Sequence, residues 1–363
     1  MSNLAEDIKT IIYNETELFG EKEMRWYQIA AKNGTIQAIV QGFKRIMIVL
    51  PTGSGKTITV AATLNTYEIR TALGITEDRK LRVLFVSHLQ RLLTQADEAF
   101  SAEFGVELIL QSAFSPIPQI IIDQGFDIVV LDECQHEAMA TLQYQLDTTM
   151  GDKVMIGLTA TPDRHDGFLI KFDKIINPIS REEAVLQGYL AETRLYSVCD
   201  GSEKSKTQII CDIVDQFGSI MGGTLIFVRT KKEIQEVHDY VTSLGYKSVA
   251  ILNQKPKELN RILDDFSAGN IDFIISANKL GEGVDIKKCR CVLIGRTLGS
   301  LGLLNQYIGR SSRPDCDSIV FEIINPLSAN NLDSTAVIGT PQQHTLCFFE
   351  KGEWIMQDFD YTS

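Results

Sequence analysis

A chain of 363 residues, 23% charged and 44% hydrophobic, has room for two cores at roughly 100 to 200 residues per domain, which excludes a disordered tail, a fibrous repeat and a small disulfide-stapled scaffold. Its formal net charge of −12 excludes a nucleic-acid binder with a uniformly basic surface, so any such binding needs a local groove. The opening MSNLAEDIKT carries acids and no apolar signal core, and the longest apolar runs fall far short of the ~20 residues that cross a bilayer. The expectation is a cytoplasmic chain, nuclear in a eukaryote, with no membrane contact. The seven cysteines are scattered, as reduced core thiols are. Cys289 and Cys291 form a C-x-C with no second Cys/His pair at ligand spacing, which argues against zinc.

In chain order, Leu4, Ile8, Ile11 and Ile12 lie at helical spacing and predict a short helix packed on the first domain. From about Arg45 to about Glu322 short β-branched runs alternate with longer amphipathic stretches, the pattern of parallel α/β layers. The runs opening at Arg45, Arg82, Glu107, Asp127 and Val154 predict strands of one sheet. Those opening at Thr224, Lys247, Asp272, Arg290 and Asp317 predict strands of a second. Between them the rhythm lapses around the polar GSEKSK. The expected organisation is a domain at 1–187, a linker at 188–206, a second domain at 207–325 and a tail at 326–363. That tail reads as a hairpin around Lys351-Gly352, with aromatics that cover core or, alternatively, stack on nucleotide bases.

Two segments carry chemistry on their residues alone. Leu50-Pro51-Thr52-Gly53-Ser54-Gly55-Lys56-Thr57 follows an apolar strand and opens a helix, the setting of a phosphate-binding loop. Its glycines turn backbone N–H groups toward phosphate, Lys56 reaches the β- and γ-phosphates, and the Thr57 hydroxyl ligates Mg²⁺. Leu50 stands where the general pattern has a glycine. Downstream, an apolar strand runs into Asp132-Glu133-Cys134-Gln135-His136, where Asp132 is placed to hold Mg²⁺ and Glu133 to position and deprotonate water.

PTGSGKT, DECQH, Thr159-Ala160-Thr161-Pro162 and Gln306-Tyr307-Ile308-Gly309-Arg310-Ser311-Ser312-Arg313 occur in the order and spacing of motifs I, II, III and VI of superfamily 2 helicases. The resemblance spans roughly Arg25 to Pro314. It implies two tandem RecA-like α/β parallel-sheet domains with an ATP cleft between them, and ATP and Mg²⁺ as cofactors. Arg25-Trp26-Tyr27-Gln28 looks like the Q-type motif, which gives Gln28 the adenine edge; the loop residues Thr52, Gly53, Ser54 and Gly55 join it as nucleotide contacts. Ser87-His88-Leu89 and Gln111-Ser112 resemble motifs Ia and Ib, Phe227-Val228-Arg229-Thr230 resembles motif IV, and Gly281-Glu282-Gly283-Val284-Asp285 resembles motif V, which gives Asp285 the ribose. DECQH, TATPDR and the spacing of EGVD to GR resemble the DExH-type DNA helicase branch of RadD, XPB-type and UvsW-type proteins more than the DEAD-box RNA helicases. Asn278 departs from a common threonine, and Asp285 to Gln306 is too short for the strand-separating hairpin of the DEAH proteins.

Hydrolysis needs cations on the developing γ-phosphate charge, and a facing arginine is worth ~10³ to 10⁵ in rate. On a predicted helix from Leu301, Gln306, Arg310 and Arg313 share a face. Candidate strand contacts are Ser87, His88, Arg91, Ser112, Arg229, Thr230, Lys231 and Asn278, hydroxyls, amides and cations suited to backbone rather than base. The expected function is an ATP-dependent DNA helicase or translocase acting on forked or branched DNA, with DNA preferred over RNA. The alternatives are an RNA helicase, an ATP-gated nucleic-acid clamp without directional unwinding, and a P-loop ATPase unrelated to nucleic acid.

Overall fold

Strands covered on both faces read as continuous apolar runs, and each predicted run becomes a strand, the central ones buried and the edge strands at 106–112 and 248–251 half-exposed. The computed structural model describes residues 17–87, 96–97, 99–100, 105–134, 138–149, 151–160, 171–200, 204–277, 286, 288–296, 304, 307–312, 317–324, 334–338, 341–350 and 353–359. The helix expected around Leu4 to Ile12 lies outside them. The chain divides into Met1–Ser180 and Arg181–Ser363.

In the first unit, β1 (Glu17–Phe19) and β2 (Lys22–Met24) form an antiparallel ribbon ahead of α1 (Trp26–Val40). Then follow β3 (Arg45–Val49), α2 (Lys56–Leu64), α3 (Tyr67–Ala72), β4 (Leu81–Ser87), β5 (Val106–Ser112), α4 (Gln119–Gln124), β6 (Ile128–Asp132), α5 (Ala138–Thr149), β7 (Val154–Thr159) and β8 (Lys174–Ile176). The sheet order is β5-β4-β6-β7-β3-β8, parallel at every pairing. One face packs Met47, Val49, Leu84, Val86, Val129 and Leu131 under Leu142 and Leu146 of α5. β3 and β6 thus end at the same edge of the sheet, on either side of β7.

The second unit runs α6 (Arg181–Leu186), β9 (Thr193–Cys199), α7 (Lys206–Met221), β10 (Thr224–Phe227), α8 (Lys231–Ser243), β11 (Ser248–Ile251), α9 (Pro256–Ala268), β12 (Phe273–Ser276), β13 (Cys291–Ile294), β14 (Ser318–Ile324), α10 (Thr335–Ile338), β15 (Gln343–Glu350) and β16 (Glu353–Asp358). Its sheet order is β11-β12-β10-β13-β14-β9-β15-β16, parallel except for β16. Successive residues of β10 serve opposite faces: Ile226 packs with Ile213, Phe217 and Ile234, and Leu225 and Phe227 with Phe266, Tyr307 and Val320. Helix entry is set locally. Ser205 Oγ accepts from Gln208 N–H at 3.3 Å while Gln208 Oε1 accepts from Ser205 N–H at 2.8 Å, a reciprocal cap for α7.

Two boundaries differ from expectation. The segment expected as a linker, 188–206, contains β9, which is buried on both faces and pairs with β14 and β15; the division falls earlier, after Ser180. The segment expected as a separate tail supplies β15 and β16, a hairpin that completes the second sheet. Its Trp354 packs edge-on against Phe217, ring centroids 6.4 Å apart, and Lys204 lies over the Phe349 ring at 3.5 Å. Beneath it, Glu322 is buried and accepts from Ser197 Oγ (2.6 Å), Ser334 Oγ (2.5 Å) and Ser334 N–H (3.2 Å), while Ser197 Oγ also meets His344 Nε2 at 2.9 Å. This network ties β9, β14 and β15 to the turn before α10. Among the described residues no helix is long and apolar enough to cross a membrane.

Candidate nucleotide site

The loop after β3 is closed by its own backbone. Leu50 N–H donates to Thr159 O at 3.0 Å, and Ser54 donates to Pro51 O from both N–H (3.2 Å) and Oγ (2.6 Å). Leu50 is fully buried, which explains the departure from glycine there: the position is a core position. Gly53 and Gly55 have φ of 85° and 87°, the left-handed region that costs other residues about 1–2 kcal/mol. Gly55 also lacks room, since a Cβ there would stand 2.4 Å from Gln28 Nε2. Gly55 caps α2, whose first helical N–H with a backbone acceptor is that of Thr59, to Gly55 O at 3.0 Å. The preceding N–H groups, of Lys56, Thr57 and Ile58, therefore form a helix N-terminus suited to an anion.

Gln28 is engaged within the protein at both ends. Its Oε1 accepts from Arg25 N–H at 2.9 Å and its Nε2 donates to Ser54 O at 2.8 Å. The Tyr27 hydroxyl donates to the same carbonyl at 3.1 Å. α1 thus clamps the loop through two side chains, and Tyr27, fully buried, is a loop-supporting residue absent from the expected set.

Across β7, Asp132 ends β6 with 3% exposure. Burial pushes its carboxyl up to about 7, the charge of Glu133 adds to the rise, and Lys56 opposes it. Glu133 follows at φ 49°, a left-handed conformation for a residue with a side chain. Its N–H donates to Asp132 Oδ1 at 3.1 Å, and its Oε1 stands 3.4 Å from Lys56 Nζ, both side chains largely enclosed. The structure therefore brings together Gln28, Thr52 to Thr57, Asp132 and Glu133 at one sheet edge. A helix N-terminus, a lysine and glycine turns fit a polyphosphate. A buried carboxyl near neutrality, whose neighbouring lysine sits with the adjacent glutamate, fits a divalent cation shared with Thr57.

In the second unit the helix expected from Leu301 to Arg313 ends earlier. Ile308 is the last helical residue and Gly309 to Ser311 form a turn, closed by Arg310 N–H to Tyr307 O and Ser311 N–H to Ile308 O, each 3.1 Å. Arg310 so lies past the helix, and the single-face spacing does not extend through it. Gln306, Arg313 and Asp285 lie outside the described residues. Tyr307 stacks on Phe227 with ring centroids 3.7 Å apart and planes within 3°, which fixes the turn against β10.

Of the expected strand contacts, His88, Arg91 and Asn278 lie outside the described residues. Ser87 is fully buried and presents no surface hydroxyl. Ser112 Oγ accepts from Phe114 N–H at 3.3 Å, and Thr230 Oγ1 accepts from Glu233 N–H at 3.2 Å as the cap of α8. Glu233 Oε2 in turn accepts the N–H groups of Arg229 and Thr230, each at 2.8 Å. These hydroxyls serve local turns, while Arg229 and Lys231 are exposed beside them.

Residues 21–116 match the family described as "Type III restriction enzyme, res subunit" and residues 205–315 match "Helicase conserved C-terminal domain". The chain belongs to the superfamily 2 helicases. It is 22% identical over 370 residues to the Type I restriction enzyme EcoAI endonuclease subunit of Escherichia coli, covering 81% of this chain and 44% of that protein. The Type ISP restriction-modification enzyme LlaBIII, solved bound to DNA, matches with a TM-score of 0.66 at 14% identity, covering 92% of this chain and 32% of that one. Dbp5 of S. cerevisiae, solved bound to RNA and ADP BeF3, matches with a TM-score of 0.58 at 16% identity, covering 84% and 85%. As a superfamily 2 helicase the chain has the tandem RecA-like fold of these neighbours, and it spans about half the length of the curated relatives it matches.

Proposed function

We propose that this helicase-family chain is an ATP-dependent DNA helicase or translocase that acts on forked or branched DNA. The observation that carries the reading is the meeting of Lys56 and Glu133, 3.4 Å apart beside buried Asp132, at the helix N-terminus behind Gly55. Without nucleotide, Lys56 neutralises Glu133. Binding of a triphosphate gives Lys56 a stronger anionic partner and frees Glu133 to orient and deprotonate water. Asp132 and Thr57 would hold Mg²⁺, which would supply charge neutralisation to the bound phosphates. Gln28 and Tyr27 keep the loop in the conformation that receives phosphate. Arg310 and Arg313, with Gln306, act on the charge that develops in the transition state, and Asp285 takes the ribose.

The restriction-enzyme relative and the DNA-bound neighbour support DNA over RNA, and the chain's acidity supports a grip through few cations such as Arg229 and Lys231. The test is ATP hydrolysis at fixed salt with forked DNA, blunt duplex DNA and RNA of equal length. The forked substrate should stimulate most. Stronger stimulation by RNA would make the chain an RNA helicase, and equal stimulation by all three would remove the junction preference.

A further inference from the structure

Arg181, the first residue of α6, reaches the turn that carries Arg310. Its Nη2 donates to Ser312 Oγ at 2.8 Å. Ser312 is 1% exposed, and its own hydroxyl proton goes to Ile308 O at 2.9 Å. Its carbonyl accepts from Ala191 N–H at 3.1 Å, so the segment just after α6 grips the same residue. Three anchors thus hold the turn: Tyr307 stacked on Phe227, Ser311 Oγ against Ser318 Oγ at 2.9 Å, and Ser312 against Arg181. The first two belong to the sheet. The third comes from the segment that opens the unit.

The rest of the guanidinium is costly. Nε and Nη1 are enclosed and find no hydrogen-bond acceptor among the described residues, and burial lowers the group to about 10, which leaves it charged at neutral pH. A buried donor left unmet is destabilising. A residue retained for stability alone would be better replaced by an apolar side chain of similar length.

We propose that Arg181 is a positioning residue for the arginine turn, holding Ser312 so that Arg310 keeps the orientation hydrolysis requires. The proposal rests on the reading that Arg310 acts in ATP hydrolysis.

The test uses the full chain with Arg181→Met, Arg181→Lys, Ser312→Ala and the Met/Ala double variant, read as DNA-stimulated kcat, KM for ATP and Tm. Arg181→Met should lower kcat about tenfold or more while KM stays within about twofold, the pattern of a lost transition-state contact. Its Tm should be unchanged or raised. Arg181→Lys should recover most of kcat, because one ammonium donor suffices for Ser312. The double variant should be no slower than Arg181→Met, since both changes break one contact. Wild-type kcat in Arg181→Met, losses that multiply in the double variant, or a loss that follows a fallen Tm and resists lysine would each overturn the proposal. An Arg310→Ala control separates the two levels: full activity there overturns the reading of the turn and the proposal with it, whereas full activity confined to the Arg181 variants overturns only the proposal.

Discussion

Replacing Asp132 by asparagine should stabilise the nucleotide-free protein above neutral pH and destroy its response to Mg²⁺-ATP. The carboxyl is buried, and its pKa is pushed up to about 7 from 3.8. The folded chain therefore keeps a proton that the unfolded chain releases, so stability falls as pH rises from about 4 to about 7 and is flat above. At 1.36 kcal/mol per pH unit, holding the carboxylate charged at pH 8 costs about 4 kcal/mol. The new amide gives back about 1–2 kcal/mol for donors left unmet, so the net gain is about 2 kcal/mol. At 2–4 °C per kcal/mol for a unit of this size, the first unit's Tm should rise by about 4–8 °C at pH 8 and fall by a few degrees at pH 4, where only the cost of the amide remains. Mg²⁺-ATP should raise the Tm of the wild type and not of the variant. Thermal unfolding at the two pH values, with and without Mg²⁺-ATP, gives the comparison. A variant no more stable than wild type at pH 8, or equally advantaged at pH 4, refutes the argument that burial strains this carboxylate.

Glu133→Gln should keep the fold and bind ATP, because Asp132 and the loop remain, while hydrolysis falls about 10²-fold or more with loss of the base. ATP should then slow strand dissociation from the variant, and an unchanged off-rate counts against the assignment. Glu322→Ala should destabilise the second unit by about 2–4 kcal/mol, since it leaves a cavity, orphans the Ser334 hydroxyl and N–H, and leaves the Ser197 hydroxyl with His344 alone. Urea unfolding measures this, and a loss below about 1 kcal/mol would mean that those groups find other partners.

The strands were readable because parallel strands buried on both faces are continuous apolar runs, as in RIMIV and FIIS. β9 was not, because TRLYSVC interrupts its apolar residues with Thr193, Arg194 and Ser197 and runs straight into the polar stretch at 200–206. The phosphate loop and Asp132-Glu133 were legible for the opposite reason: turn, strand end and helix start are all local. Ser87 failed because a sheet covered on both faces buries even its polar strand ends. Thr230 also caps a helix, a role for which Glu233, three residues on, is the local sign. Arg181 gave no sequence signal, since its partner Ser312 is 131 residues away.

Steady-state phosphate release by the wild type and by Lys56→Ala, each with and without single-stranded DNA, tests the central claim most directly. Lys56 stands in the loop and meets Glu133, so the account predicts turnover that DNA stimulates in the wild type and that is lost in the variant with or without DNA. Near-normal turnover in Lys56→Ala, or a wild-type rate indifferent to DNA, would contradict it.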